Sequence, residues 1–314
     1  SIPLGTAKNM ITKKIYFILI FTIFFNTTLL KAENWQTSSG EFSGTKFSSL
    51  KKINNNNVHK LKLAWKYKNG HIPKLKPLRI NNQSTPIFTG KNLIVTSVDG
   101  NLISLNPLTG KEKWRTKLRG PVGKRGLTFN DGNIFVPTSQ GVVVVKEFDG
   151  KINEEYGEKG FIGYYGERFL TLVPPIIDNN NLLVAHQSKI ESYSLPDGKT
   201  NWKLDLNGAR VWSGFSFDKK TNTILIVTSN LINLLGNTNI KNDFSNSLVL
   251  IDSKNGQVKC KFKDTIHDHW DLDLIGSPII SEVTLITGEK INAGYAFSKT
   301  GNTLVVDINK CKLV

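Results

Sequence analysis

A glycine turn followed by a bulky residue recurs along this chain, and this repeat constrains the fold more than any other feature. The turn glycines lie 40 to 58 residues apart. The four copies are Thr109-Gly110-Lys111 with Trp114, Asp149-Gly150-Lys151 without a tryptophan, Asp197-Gly198-Lys199 with Trp202, and Asn255-Gly256-Gln257 with Cys260. A repeat of this length, made of about four strands, is typical of the blades of a β-propeller.

Between these turns the chain has the pattern of β-hairpins. Short runs rich in β-branched residues flank X-Gly pairs, which are the strongest short-range hairpin signal. The clearest pairs are Leu93–Val98 with Leu102–Leu105, Asn133–Thr138 with Val142–Val145, and Ala293–Phe297 with Thr303–Val306. We therefore predict an all-β propeller of four-stranded blades. A sandwich and an open solenoid are the alternatives, and the repeat argues against the sandwich.

The length of the chain limits the number of blades. About 280 residues follow the leader, and at roughly 50 residues per blade they supply five or six blades. The last hairpin runs straight into the end of the sequence. Because a closed propeller pairs its first and last strands, we expect residues 33–314 to form an incomplete part of a larger propeller. A small closed propeller is the alternative.

The first 32 residues are expected to be upstream residues and a secretory signal peptide. Lys13 and Lys14 precede an apolar run from Ile15 to Leu30, and Ala32 offers a small residue at a cleavage site. Polar residues shorten this run below the roughly 20 residues that a membrane span needs, which favours cleavage over an uncleaved anchor. We expect a periplasmic protein without a stable membrane span, and leave open whether its two cysteines pair.

Composition and charge exclude several classes of protein. Two cysteines in 314 residues exclude a disulfide-stapled miniprotein and a Cys-rich zinc module. Lys and Arg outnumber Asp and Glu by 41 to 25, which gives a formal net charge of +16. The lysines are scattered and form no basic block, so we interpret them as a solvated surface and expect no nucleic-acid partner.

Five segments of the chain follow one another in an order and at a spacing that identify a family. They are the segment from Trp35 to Tyr67 and four later motifs: Gln83-Ser84-Thr85-Pro86, Trp212-Ser213-Gly214-Phe215-Ser216-Phe217-Asp218, His267-Asp268-His269-Trp270-Asp271-Leu272-Asp273 and Ser298-Lys299-Thr300-Gly301. These segments resemble the pyrroloquinoline-quinone (PQQ)-dependent alcohol and glucose dehydrogenases, and the first is similar to the opening of their propeller domain. The resemblance covers nearly all of residues 35–312. It implies the N-terminal half of an eight-bladed quinoprotein propeller, with PQQ and Ca²⁺ as cofactors.

The chemistry of PQQ explains why such residues would be needed. PQQ is a flat tricarboxylate ortho-quinone, so it requires an aromatic face, cations and a Lewis acid, and the substrate hydroxyl requires a base. The resemblance implies these roles: Asp271 as catalytic base and Ca²⁺ contact, Asn230 as the amide ligand of Ca²⁺, Lys299 as donor to the quinone oxygens, Trp212 as stacking platform, Arg125 as partner of the PQQ carboxylates, and Gln83 as a cofactor neighbour. Each also has an ordinary interpretation as a core, turn or surface residue.

Other residues in these motifs are given structural roles. His267 and His269 share one strand face, but no third metal ligand accompanies them, so we do not expect zinc. Asp268 and Asp273 are interpreted as structural neighbours of the base. The family's alcohol dehydrogenases carry a further Glu ligand for Ca²⁺ in a loop that is absent here between Pro175 and Lys189.

The sequence therefore predicts a periplasmic PQQ- and Ca²⁺-dependent dehydrogenase. It would oxidise an alcohol or sugar hydroxyl and pass electrons to a respiratory quinone or cytochrome c. The alternative is a non-catalytic PQQ-like propeller that binds proteins or serves as an outer-membrane assembly scaffold. Geometry separates the two, because a cofactor site needs Asp271 and Lys299 close together beside Trp212.

Overall fold

The protein is described here by a computed structural model that covers residues 34–70, 83–97, 99–119, 122–163, 173–186, 188–231, 242–266, 268 and 270–314. The expected signal peptide within residues 1–32, and both His267 and His269, lie outside these residues. Glu33–Val314 forms one compact unit. In the described part of the chain, the one helix is a single 3₁₀ turn, Val58–Lys60, and no helix is long and apolar enough to cross a membrane.

The described residues contain five four-stranded antiparallel sheets, each a meander in which consecutive strands pair. Blade 1 contains β1 (Ile87–Phe88), β2 (Leu93–Thr96), β3 (Asn101–Leu105) and β4 (Glu112–Lys117). Blade 2 contains β5 (Thr128–Asn130), β6 (Asn133–Thr138), β7 (Gly141–Lys146) and β8 (Phe161–Ile162). Blade 3 contains β9 (Ile176–Asp178), β10 (Asn181–His186), β11 (Lys189–Ser194) and β12 (Thr200–Asp205). Blade 4 contains β13 (Phe215–Asp218), β14 (Thr223–Val227), β15 (Ser247–Asp252) and β16 (Val258–Lys263). Blade 5 contains β17 (Leu274–Thr284), β18 (Lys290–Ser298), β19 (Thr303–Asp307) and β20 (Lys312–Leu313).

The three predicted hairpins are confirmed as the β2–β3, β6–β7 and β18–β19 pairs. The prediction of an all-β fold made of four-stranded propeller blades is confirmed with them. In each case an X-Gly pair lies in the turn, because glycine adopts positive φ without a steric penalty. Gly100, Gly141 and Gly301 all have positive φ.

The hydrophobic core lies between the blades. Four apolar clusters fill the spaces between consecutive blades, and each draws on the facing sides of two sheets. Along β6, Ile134 and Val136 pack toward blade 1, whereas Phe135 packs toward blade 3. Both faces of the central strands are therefore buried, which explains why these strands are continuous apolar runs instead of alternating ones. Each fully buried side chain of this kind contributes roughly 1.5–3 kcal/mol.

Three tryptophans contact the turn of the blade that follows them. The indole Nε1 atoms of Trp65, Trp114 and Trp202 donate to the main-chain oxygens of Pro107, Glu147 and Ser253, at 3.1, 2.9 and 2.9 Å. Each ring covers the turn glycine of the blade that follows. A Cβ atom at those glycines, 110, 150 and 256, would lie within 2.6 Å of the ring, and all three have positive φ. The recurrence of tryptophan and glycine along the chain therefore reflects the packing of one blade on the turn of the next.

A disulfide replaces this contact between blades 4 and 5. Cys260 pairs with Leu250 across β15 and β16, the same register in which Trp202 pairs with Ser192 in blade 3. Its partner Cys311 lies in the β19–β20 turn, where its φ of 52° matches the positive φ of the turn glycines. The pairing that the sequence left open is therefore present, in the position that tryptophan and glycine occupy elsewhere.

A segment near the N-terminus crosses the innermost strands. Trp35 forms a bridge with Phe88 in blade 1, and the Gln36 oxygen accepts a hydrogen bond from Phe129 in blade 2. Farther along, the oxygens of residues 42 and 43 accept from Phe217 in blade 4 and Ile280 in blade 5. These hydrogen bonds link blades that are distant in sequence.

Candidate active site

Four of the predicted site residues meet on one face of the blades, where strand connections converge. Trp212 precedes β13, and Asn230 follows β14. Asp271 lies in the connection from β16 to β17, and Lys299 lies in the β18–β19 hairpin. The four residues therefore come from blades 4 and 5 and from the connections that enter them.

Lys299 is the centre of the cluster. Its Nζ atom donates to the main-chain oxygen of Asp271 at 2.6 Å, to Asp271 Oδ2 at 3.1 Å and to Asp273 Oδ2 at 3.1 Å. Burial acts to lower the pKa of Lys299, but the hydrogen bonds with Asp271 and Asp273 outweigh it and hold the pKa above its usual range. The ammonium is therefore charged at neutral pH, and its three N–H groups are all engaged.

Asp271 differs from its neighbour in exposure. Its side chain is 67% exposed, whereas that of Asp273 is 10% exposed. The main chain at Asp271 has a φ of 59°, a left-handed conformation that is unusual for a residue with a side chain. Asp271 is thus the carboxylate of the cluster that a substrate can reach.

Two cations lie near the ring of Trp212. The Arg125 guanidinium carbon is 5.1 Å from the centroid of the indole, and Lys299 Nζ is 5.9 Å from it. Burial lowers the pKa of Arg125, and the described residues give this guanidinium no ion-pair partner. The Trp212 Nε1 atom is buried, with no hydrogen-bond partner among the described residues. The structure thus places an aromatic face, two cations and an unsatisfied donor together.

Two hydroxyl contacts hold the Trp212 loop against blade 5. Ser213 Oγ donates to the Gly276 oxygen at 2.8 Å, and Ser277 Oγ donates to the Ser213 oxygen at 3.2 Å. A Cβ atom at Gly214 would lie 1.9 Å from Ser277 Oγ, so only glycine permits this approach. The Trp-Ser-Gly order of the motif therefore has a direct structural reason.

Carboxylates also hold the other two loops. Asp268 accepts from the main-chain N–H groups of Trp270 and Leu272, at 2.9 and 2.7 Å, which shapes the turn that presents Asp271. Asp264 accepts from Ser298 Oγ at 2.7 Å and from Asn302 Nδ2 at 3.1 Å, which fixes the hairpin that carries Lys299.

Asn230 contacts the cluster with its backbone N–H group. It is 9% exposed, and its backbone N–H donates to Asp273 Oδ1 at 2.7 Å. Asp273 therefore binds both Asn230 and Lys299, although the sequence suggested only a structural neighbour of the base. Burial raises the pKa of Asp273. The Asp-x-Asp spacing of Asp271 and Asp273 is the sequence signal that could have pointed to this role. The sequence does not show which of the two carboxylates is buried.

Gln83 is not brought into this cluster by any contact among the described residues. It is exposed and lies a few residues before β1 in blade 1. The structure thus joins Asp271, Lys299, Trp212, Arg125 and Asn230, and leaves Gln83 apart.

The buried Glu191 is already committed to internal contacts. It is 3% exposed, and its carboxylate contacts His186 Nε2 at 2.9 Å, Tyr193 Oη at 2.5 Å and Lys203 Nζ at 3.1 Å. Burial opposes ionisation, but these partners hold the pKa of Glu191 at about 2. Within the described ranges, no group of three or more His, Cys, Asp or Glu side chains is placed to hold a metal. Glu191 therefore does not replace the absent ligand loop.

The low pKa of Glu191 gives a prediction for acid stability. Its folded pKa lies below its ordinary value, so its stabilisation is present above about pH 4.5 and is lost as the pH falls toward 2. We expect Glu191→Gln to lower the free energy of unfolding at pH 7, and the difference from wild type to vanish near pH 2. Urea unfolding between pH 7 and 2 measures this. A difference that is constant with pH would contradict it.

Comparisons with known proteins bear on the family and the fold of the chain. The family model "PQQ: Glucose/ethanol/alcohol dehydrogenase, beta-propeller domain" matches residues 35–187 and 187–312. The quinoprotein glucose dehydrogenase A of Acinetobacter calcoaceticus is 26% identical over 87% of this chain and 43% of its own length. The lanthanide-dependent methanol dehydrogenase of Methylacidiphilum fumariolicum is 24% identical over 92% of this chain and 56% of its own length. A solved europium-containing methanol dehydrogenase has a TM-score of 0.75 at 17% identity, over 90% of this chain and 57% of that one.

The fold and these matches define a PQQ-type β-propeller. The chain belongs to the PQQ-dependent glucose/ethanol/alcohol dehydrogenase β-propeller family, since the family model matches most of its residues. It spans about half the length of the curated relatives it matches.

Proposed function

We propose that the protein is a periplasmic PQQ- and Ca²⁺-dependent dehydrogenase that oxidises an alcohol or sugar hydroxyl. One observation carries the proposal: Lys299 Nζ lies 3.1 Å from the exposed Asp271 carboxylate and 5.9 Å from the Trp212 ring centroid. A protein-binding scaffold has no need for this arrangement. We propose a respiratory quinone or cytochrome c as the electron acceptor.

The residues around Trp212 fit PQQ. An aromatic face stabilises a stacked planar ring, and cations stabilise its carboxylates. Arg125, which lacks an ion-pair partner among the described residues, provides donors for an anionic, oxygen-rich ligand. We propose that Trp212 stacks on the cofactor and that Arg125 meets a carboxylate.

Asp271 is proposed to act as the general base. Its exposed carboxylate, 3.1 Å from Lys299 Nζ, takes the proton of the substrate hydroxyl. When bound, PQQ would supply the electron sink for the hydride that leaves the substrate carbon. Because Lys299 already makes three hydrogen bonds, one of them must open before Lys299 can donate to a quinone oxygen. Its bond to the exposed Asp271 side chain is the one we expect to open.

Calcium fits the donor types of this site. Ca²⁺ prefers carboxylate and amide oxygens and takes six to eight of them. Asp271 and Asn230 provide such oxygens, and the other ligands would come from PQQ and water. We propose these two residues as the protein ligands.

The disulfide supports a location outside the cytoplasm. Disulfides persist in oxidising compartments such as the periplasm. The Cys260–Cys311 bond connects blades 4 and 5, which carry the candidate site. Together with the expected signal peptide, it supports export of the protein.

Titration of the full chain with PQQ in the presence of Ca²⁺ tests the proposal. We expect saturable binding, followed by reduction of bound PQQ on addition of an alcohol or sugar from a panel. PQQ absorbance and dye reduction report the two steps. Absence of PQQ binding by the folded chain would overturn the proposal and favour the scaffold.

Trp212→Ala is expected to weaken PQQ binding about 10- to 100-fold, because a stacked aromatic pair and its buried area contribute on the order of 2 kcal/mol. Trp212→Phe retains a ring and should bind within about tenfold of wild type. Isothermal titration with PQQ measures both. Trp202→Phe, which alters a tryptophan between blades 3 and 4, is the control for general loss of stability. Unchanged affinity in Trp212→Ala would contradict the stacking role.

A further inference from the structure

Asp273 joins three connecting segments at the candidate site. Its Oδ1 atom accepts from the Asn230 backbone N–H at 2.7 Å, and its Oδ2 atom accepts from Lys299 Nζ at 3.1 Å. Its own main-chain oxygen accepts from the Lys299 backbone N–H at 3.2 Å. The connection after β14, the connection before β17 and the β18–β19 hairpin are therefore held by one residue.

This carboxylate is too enclosed to meet a substrate. Asp273 is 7% exposed, while Asp271, two residues earlier, faces solvent. Burying a carboxylate is costly unless donors offset the loss of water, and Asn230 and Lys299 supply them. Both donors belong to residues proposed to contact the metal or the quinone. The buried charge therefore fixes the relative position of those two residues.

We propose that Asp273 is a positioning residue that holds Lys299 and the Asn230 backbone in the geometry needed for the cofactor and the metal. The proposal rests on the function proposed above and assigns different roles to the carboxylates of Asp271 and Asp273. Asp273 retains Lys299 throughout, while the exposed Asp271 is free to exchange its hydrogen bond for contact with the substrate. Lys299 then keeps its place when that bond opens.

Amide hydrogen exchange in the full chain without cofactor gives the first test. In Asp273→Asn, the side-chain oxygen still accepts from Asn230, but the amide nitrogen cannot accept from Lys299. We expect about tenfold faster exchange in the 298–302 hairpin, with little change at Asn230. Asp273→Ala loses both acceptors and should speed exchange at both places.

Asp218→Asn is the matched control. Asp218 is 6% exposed and accepts from Lys220, Thr221 and Asn292, but it lies at the opposite end of β13 from Trp212. It should lower stability without changing exchange at the 298–302 hairpin. Equal effects of Asp218→Asn and Asp273→Asn on that hairpin would reduce Asp273 to a general structural role and overturn the proposal.

A double-mutant cycle with PQQ gives the second test. We expect Asp273→Asn and Lys299→Ala each to weaken PQQ binding about tenfold or more, and the double variant to bind no worse than Lys299→Ala. Additive losses would mean that Asp273 acts independently of Lys299, which overturns the proposal. Ca²⁺ binding is also measured in the absence of PQQ. If Asp273→Asn loses it, Asp273 is a metal ligand and the positioning role is wrong.

The two proposals can fail separately. If wild type binds no PQQ, the proposed function fails, and with it the cofactor part of this inference. If wild type binds PQQ but Asp273→Asn leaves both the hairpin and the affinity unchanged, the positioning role alone is wrong.

Discussion

Asp271→Asn is expected to slow reduction of bound PQQ by substrate about 10²- to 10⁴-fold, the usual contribution of a positioned general base. Asparagine retains an oxygen for the metal and nearly the same volume, but it cannot take the hydroxyl proton. PQQ binding should therefore stay within a few-fold of wild type at saturating Ca²⁺. The loss should appear in the rate of the chemical step and much less in the substrate concentration needed for half-saturation.

Single-turnover absorbance measurements on PQQ-loaded protein check this result. Asp243→Asn is the control, because Asp243 also pairs with a lysine, Lys261 at 2.9 Å, and is largely exposed. It should reduce PQQ at the wild-type rate. If Asp271→Asn is as fast as Asp243→Asn, the base lies elsewhere.

Local sequence signals were sufficient to predict the blades. The X-Gly pairs at Gly100, Gly141 and Gly301 identify hairpins because the conformation they require is local to the turn. The β-branched runs on either side identify strands buried on both faces, as the inter-blade clusters confirm. Their regular recurrence then predicts a propeller.

Contacts between blades were harder to predict. The repeat showed Trp114 and Trp202 following a turn glycine in their own blade, whereas the glycine that each covers belongs to the next blade. Periodicity shows that a residue recurs but does not show which neighbour it meets. The bonds from the segment at 35–43 to four inner strands have no periodic signal at all.

The candidate site was predicted in part. The family resemblance assigned Asp271, Lys299 and Trp212 to one site, and the structure brings the three side chains together. It did not show that Asp273 would be the buried partner of Lys299, because exposure depends on how the connection before β17 folds. It also placed Gln83 beside the cofactor, and that role stays a prediction. The contacts of residues that belong to no repeat can be identified only from the three-dimensional structure.

The bond between Cys260 and Cys311 joins two consecutive blades at the position where tryptophans do so elsewhere. In blades 1 and 3 an indole ring closes the gap to the next turn and donates to its main chain. Between blades 4 and 5 a covalent link does this in the same strand register. Because β16 leads directly into the connection that carries Asp271, this link also anchors the candidate site.

Replacing both cysteines with serine is expected to lower the free energy of unfolding by about 2–4 kcal/mol. The bond closes a loop with a sequence separation of 51 residues, for which the chain-entropy relation gives about 4 kcal/mol, and measured values are often smaller. Urea unfolding of the full chain measures the loss. A reductant should lower the stability of wild type toward that of the double variant and leave the variant unchanged.

The double variant Cys260→Trp with Cys311→Gly tests whether the two contacts are equivalent. It restores the pair found between blades 1 and 2 and between blades 3 and 4, where the ring covers a glycine of positive φ. We expect it to recover part of the lost stability and to be insensitive to reductant. If it is no more stable than the double serine variant, the disulfide does more than fill the position of the tryptophan, and blade 5 depends on the covalent bond to stay packed against blade 4.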